Sequence, residues 1–165
     1  MSDSEKVLDP LGKRLNDVHF DSRMSHLYHE QLISRYRKIF SANSILTMLL
    51  STASIAALFE VLPHKEIIVG AAVAVIATLN AFVLASGLLS KIELHSSFRR
   101  RWLFLEKQAL KLNSQKFTSV KIAELELEQA EIDAEESQLI VSDKFRSIAH
   151  QKAIESLGLD RVVTI

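Results

Sequence analysis

Three groups of residues carry types and spacings that could do chemistry. Arg99-Arg100-Arg101, followed by Lys107 and Lys111, concentrate positive charge along one helical stretch. Guanidinium and ammonium groups in such density suit phosphate and other anions. The same arginines beside Trp102 would also suit anchoring at lipid head groups, or a solvated surface, and all three readings stay open here. Ser44, Thr47, Ser51 and Ser54 recur at i, i+3, i+7 and i+10, which aligns four hydroxyls on one helix face. Such a row either bonds to a neighbouring helix or lines a watery path. Asn80 is the strongly polar residue of the second apolar run and needs a partner or a lumen of the same kind. His26 and His29, with Glu30, could be read as metal ligands, but an i, i+3 histidine pair is more often packed or solvated, so no metal is expected.

The motifs of catalysis are missing. The chain has no Cys, no glycine-rich phosphate loop, and no GxSxG, HExxH or GK[ST] sequence. No His/Asp pairing supports a Ser, Thr or Lys nucleophile. The reading is therefore not an enzyme, with no cofactor, and any ligand would be held between helices.

The elements that must position these groups are helices. Residues 39–59 form a run of 21 without a charge, and residues 67–90 a run of 24. At about 1.5 Å per residue these reach roughly 31 and 36 Å, enough to cross a hydrocarbon layer of about 30 Å. The seven-residue connector Glu60–Glu66 contains Pro63, which stops the first helix. The expected fold is an all-α membrane protein. It has a cytoplasmic N-terminal segment and amphipathic helix (1–38), a transmembrane hairpin (39–90, spans 39–62 and 67–90) and a cytoplasmic helical domain (91–165). Lys and Arg flank the hairpin on its two outer ends, while the connector offers only Lys65. Both termini are accordingly expected in the cytoplasm of a multi-pass protein of the bacterial inner membrane. Within the second span, Gly70, Ala74, Ala77, Ala81 and Ala85 form a small-residue row that lets helices approach closely. Two spans alone cannot enclose a pore, so a pore requires a homo-oligomer, expected as a tetramer or larger.

The 165 residues carry 20 basic and 20 acidic side chains, a net charge of zero. The total conceals blocks. Residues 91–121 hold eight basic and two acidic residues, and residues 122–143 hold eight acidic and no basic ones. The apolar pattern places an amphipathic helix from about Asp17 into the first span, and a helix from Lys91 to about Leu112 that breaks at Asn113-Ser114-Gln115. From Val120 to about Leu157 no Gly or Pro interrupts, Ile122, Leu125, Ile132 and Leu139 form a heptad-like seam, and Gly158 is a good C-cap. The acidic run is expected to be a solvated face, or alternatively to pack against the basic helix of its own or a neighbouring subunit. The apolar tail Arg161–Ile165 could dock as a short strand.

The layout, with RYRKIF leading into the hairpin, SSFRRRWLFLEKQALKL after it, and then a long acidic helix, resembles the bacterial SLATT families of two-span effectors in anti-phage defence. It is nearest in size to the stand-alone membrane effector of Hailong-type systems. The likeness covers about residues 20–157 and lies in architecture and hydropathy, so it transfers no individual site residue. It implies a pore-forming effector, gated by a nucleotide or oligonucleotide signal from a partner nucleotidyltransferase, that depolarises the membrane and arrests growth. The site residues expected from the chain itself are Arg99, Arg100, Arg101, Lys107 and Lys111 for ligand, and Ser44, Thr47, Ser51, Ser54 and Asn80 for the path. The alternatives are a non-channel anchor or scaffold that recruits a protein partner, and a CRISPR-associated membrane protein responding to cyclic oligoadenylate.

Overall fold

The computed structural model describes residues 10–52, 65–113, 118–139 and 142–158. Those residues are almost all helical, with no strand among them. The helices are α1 (Pro10–Ser51), α2 (Lys65–Ser86), α3 (Leu88–Asn113), α4 (Ser119–Glu136) and α5 (Asp143–Leu157). They divide into two compact units: unit 1 comprises residues 1–32 and 95–165, and unit 2 comprises residues 33–94. The two polar ends of the chain thus share one unit.

Helix α1 runs for 42 residues and starts seven residues earlier than the expected Asp17. Pro10 explains the start, because its missing N–H and fixed φ suit the first helical position. Between α2 and α3 the chain is not continuous helix. Gly87 takes φ 60°, donates its N–H to the Leu84 carbonyl at 3.2 Å and accepts from Lys91 N–H at 2.9 Å. Only glycine adopts that backbone without strain, so Gly87 resets the helix. Helix α3 then ends at Asn113, at the expected break.

The stretch from Val120 to Leu157, which lacks Gly and Pro, forms two helices. Ser142 occupies the N-cap of α5 in extended conformation (φ −99°, ψ 109°), with Asp143 in the first turn. Ser followed by Asp is a helix start even where no breaker precedes it. The Ser142 N–H donates outward to the Tyr28 hydroxyl at 3.2 Å, so tertiary contact helps hold the break. Gly158 closes α5 at φ 67° as expected.

The core of unit 1 consists of Leu15 and Val18 from α1, Phe98, Trp102, Leu105 and Ala109 from α3, and Ile122, Leu125 and Ile132 from α4. The α3 contributors fall at i, i+4, i+7 and i+11, one face of the helix. Trp102 is fully buried and is the largest side chain there. Its place is the core of unit 1, not a belt at lipid head groups. The acidic helix α4 packs by its seam: Ile122, Leu125 and Ile132 point inward while Glu124 and Glu131 face solvent. In α5, Ala149 and Ala153 are fully buried, and their small side chains permit close approach.

Unit 2 has the opposite surface. Ile45, Leu46, Met48 and Leu49 of α1, and Val69, Val73, Val75, Phe82 and Leu84 of α2, are all exposed. Among the described residues, one helical stretch, beginning at Val69, is long and apolar enough to cross a membrane. So much exposed apolar surface is costly in water and belongs against lipid or another protein. The later part of the first expected span lies outside the described residues.

Candidate functional site

Unit 2 brings the expected polar stripe and Asn80 to one groove. It is lined by Phe40, Asn43, Ser44, Thr47, Met48 and Ser51 of α1, and by Asn80, Val83 and Leu84 of α2, and encloses about 550 Å3. Ser54 lies outside the described residues. Helical spacing sets the α1 lining, since 40, 44, 47 and 51 share a face. Two of the hydroxyls donate within the helix: Ser44 to the Phe40 carbonyl at 3.0 Å and Ser51 to the Thr47 carbonyl. The hydroxyl oxygens retain accepting capacity. Asn43 was not among the sequence-derived candidates, although it lies four residues before Thr47 on the same face. The Asn43 Oδ1 and Thr47 Oγ1 atoms are buried and have no hydrogen-bond partner among the described residues. Unpaired buried acceptors call for water, an ion or a further chain.

The small-residue row of α2 is uncovered. Gly70, Ala74, Ala77, Ala81 and Ala85 are exposed, and a methyl group built on Gly70 would touch nothing within 4 Å. Within the described residues of one chain, this row packs no helix.

Unit 1 does not gather its candidate cations at one place. Arg99 points to Glu30 of α1, with 3.8 Å between the charged groups. Arg101 points to Glu135 of α4 at 2.5 Å. Arg100 is exposed. Successive residues on a helix diverge by about 100°, so three consecutive arginines cannot converge on one anion from one helix. Lys107 and Lys111 instead share a groove of about 700 Å3 with Lys121, Phe104, Gln108, Glu124 and Glu128. Two carboxylates offset much of that positive charge. The acidic helix therefore packs against the basic helix of its own chain, and it also receives Arg14 from α1, which pairs with Glu126.

A buried polar network, missed in the sequence, occupies the middle of unit 1. His26 Nδ1 lies 2.7 Å from Glu106 Oε2, and Arg23 reaches Glu106 Oε1 at 3.0 Å. Arg23 also donates to the Ser156 hydroxyl of α5 at 3.2 Å. One turn further along α1, His29 Nδ1 lies 2.9 Å from His95 Nδ1, and His29 Nε2 lies 3.2 Å from Glu136 Oε2. Trp102 donates its indole N–H to the same Glu136 oxygen at 2.9 Å. Burial pushes the Glu106 carboxyl up, but His26 and Arg23 outweigh it and hold the group below the usual carboxylate range. Burial likewise raises Glu136, and hydrogen bonding to His29 and Trp102, with the nearby His29 and His95 rings, brings it below that range. The signal available in the sequence was the shared spacing. Glu106 falls in an apolar stripe and Glu136 in a heptad seam, where a charge is buried only if paired. Their partners lie up to 107 positions away, and only the packing of α1 reveals them.

The chain matches no known protein-family profile. No curated protein matches it, and no solved structure does.

Proposed function

We propose that this chain is a two-span membrane protein that assembles into an oligomeric pore, governed by its cytoplasmic helical unit. The observation that carries this reading is the groove of unit 2. It sets Asn43, Ser44, Thr47, Ser51 and Asn80 together on a unit whose other surface is apolar, and leaves two buried oxygens without partners among the described residues. A polar groove at membrane depth is stable when it faces water or other subunits. The uncovered small-residue row of α2 supplies a surface on which further copies can pack.

The resemblance to two-span defence effectors extends the proposal. The pore would depolarise the bacterial inner membrane during phage infection, under a nucleotide or oligonucleotide signal from a partner nucleotidyltransferase. An adjacent nucleotidyltransferase gene would support this assignment. A ligand gates a pore only by binding one packing more tightly than another. Arg100 and the Lys107–Lys111 groove are the positions to examine first. The competing reading is a membrane anchor that recruits a protein, favoured by the exposure of Val120 and Leu127 on α4.

Reconstitution into liposomes tests the pore. The native chain is expected to pass ions, Asn80→Leu to reduce flux several-fold, and Ser51→Arg to suppress cation passage. Unchanged flux in both variants would overturn the pore and favour the anchor. Profiling linear and cyclic oligonucleotides then separates the nucleotidyltransferase signal from cyclic oligoadenylate.

A further inference from the structure

We infer that the outward face of α3 in one copy of this chain docks on the outward face of α4 in the next copy, joining unit 1 head to tail. The two faces carry opposite charge. On α3, Arg100, Lys107 and Lys111 stand at i, i+7 and i+11, an exposed column beside the exposed Phe104. On α4, Val120, Ala123, Leu127, Ala130 and Ala134 stand at i, i+3, i+7, i+10 and i+14. All five are exposed, on the side of the helix opposite the buried Ile122, Leu125 and Ile132. The helix therefore has a second apolar seam, flanked by the exposed Glu124 and Glu131. A continuous apolar row on a helix whose other side is already packed has the form of a docking surface.

Charge selects the occupant. Arg100, Lys107, Glu124 and Glu131 make no ion pair with the described residues. Two α4 faces laid on each other would set Glu124 and Glu131 against their own copies. Two α3 faces would do the same with Arg100 and Lys107. Like charges facing across an interface are costly. The α3 face on the α4 face is the pairing of opposite sign that a second copy supplies. Such a contact joins two different patches, so it repeats from copy to copy and closes into a ring where the rotation allows.

The register within one chain supplies the pairs. Arg101 meets Glu135 at 2.5 Å and Gln108 donates to Glu128 at 3.4 Å, so α3 and α4 run antiparallel. A neighbour related by an axis along these helices keeps the same heights. Lys107 is then level with Gln129, two positions from Glu131, and Lys111 lies one position from the level of Glu124. Phe104 comes level with Ile132, whose outward neighbours are Ala130 and Ala134, so the ring meets a recess of small side chains. Arg100 and Lys107 are seven positions apart, as are Glu124 and Glu131, about 10 Å in each case. That such a ring surrounds a path for ions rests on the pore reading, whereas the contact itself does not.

The chain has no Cys, so Lys107→Cys and Glu131→Cys can be placed singly on differently tagged full-length copies. Co-expressed in membranes and oxidised, the two are expected to join in a mixed disulfide dimer, and neither variant alone is expected to form a comparable one. No mixed dimer, or an equal yield from Glu131→Cys alone, would overturn the head-to-tail contact. Charge reversal reads the same contact without a crosslink. In detergent, sedimentation of the native chain is expected to show an oligomer, and Lys107→Glu or Glu131→Lys is expected to weaken its association several-fold. The two reversals combined in one chain are expected to restore it. Both positions are exposed, so each variant is expected to keep the native circular-dichroism melt. Unchanged association in both single reversals, or a native chain that stays monomeric, would overturn the proposal and leave the α4 seam to a different protein. Crosslinked multimers without ion flux in liposomes leave the contact standing and remove the pore. Flux without the mixed dimer, insensitive to either reversal, does the reverse.

Discussion

Trp102 donates its indole N–H to Glu136 at 2.9 Å, and Glu136 in turn lies 3.2 Å from His29. One carboxylate thereby ties α3 and α4 to α1 inside the core. Trp102→Phe removes the donor and part of a fully buried side chain. The expected loss is about 2–4 kcal/mol, and thermal unfolding in detergent measures it. A loss under about 0.5 kcal/mol would mean that Glu136 is held without the indole.

Glu106 carries a pH prediction with a definite sign. Its folded carboxyl is held below the ordinary value of a glutamate, about 4.3. Its contribution is therefore complete above that ordinary value and is lost as pH falls through the depressed folded one. Glu106→Gln is expected to lower stability at pH 7, where it leaves His26 and Arg23 facing an uncharged group. The native and variant curves are expected to converge in strong acid. Parallel curves down to pH 2 would contradict this.

Asp133 predicts the opposite slope. Desolvation, Glu136 and Asp21 raise its carboxyl above the ordinary range, with Arg146 acting against them. Its ionised form is thus disfavoured by folding. Asp133→Asn is expected to raise the unfolding temperature at pH 7, and the gain should vanish as pH falls below the range where the native aspartate ionises.

Within the arginine run, roles are separable by substitution. Arg101→Glu breaks the pair with Glu135 and should cost up to about 1 kcal/mol, since both groups are partly solvated. Arg100→Glu should leave stability within about 0.5 kcal/mol. If an oligonucleotide is the signal, Arg100→Glu should still weaken its binding in a filter or fluorescence assay. Unchanged binding would turn attention to the Lys107–Lys111 groove.

Because the chain has no Cys, single cysteines report topology without background. With His64→Cys and Lys144→Cys in intact cells, an impermeant maleimide is expected to label the first and not the second. Labelling of both, or of neither, would contradict the hairpin orientation.

Much of the architecture is legible locally. Pro10, Gly87 and Gly158 act through their own backbone preferences, and the heptad spacing of Ile122, Leu125 and Ile132 marks a buried face whatever covers it. The hydroxyl stripe follows from helical periodicity alone. The α4–α5 break was harder to read, because Ser142-Asp143 is a start signal embedded in a stretch without breakers.

The sequence by itself determined the helices, the two long uncharged runs, and the alternation of basic and acidic blocks, because each depends on neighbours within a turn or two. Tertiary structure decided which charges meet. It took Trp102 into the core, turned Arg99 and Arg101 towards different helices, and joined His29 to His95 across 66 positions. Burial and pairing arise between helices, where angular position and packing choose the partner, and no local spacing encodes that choice.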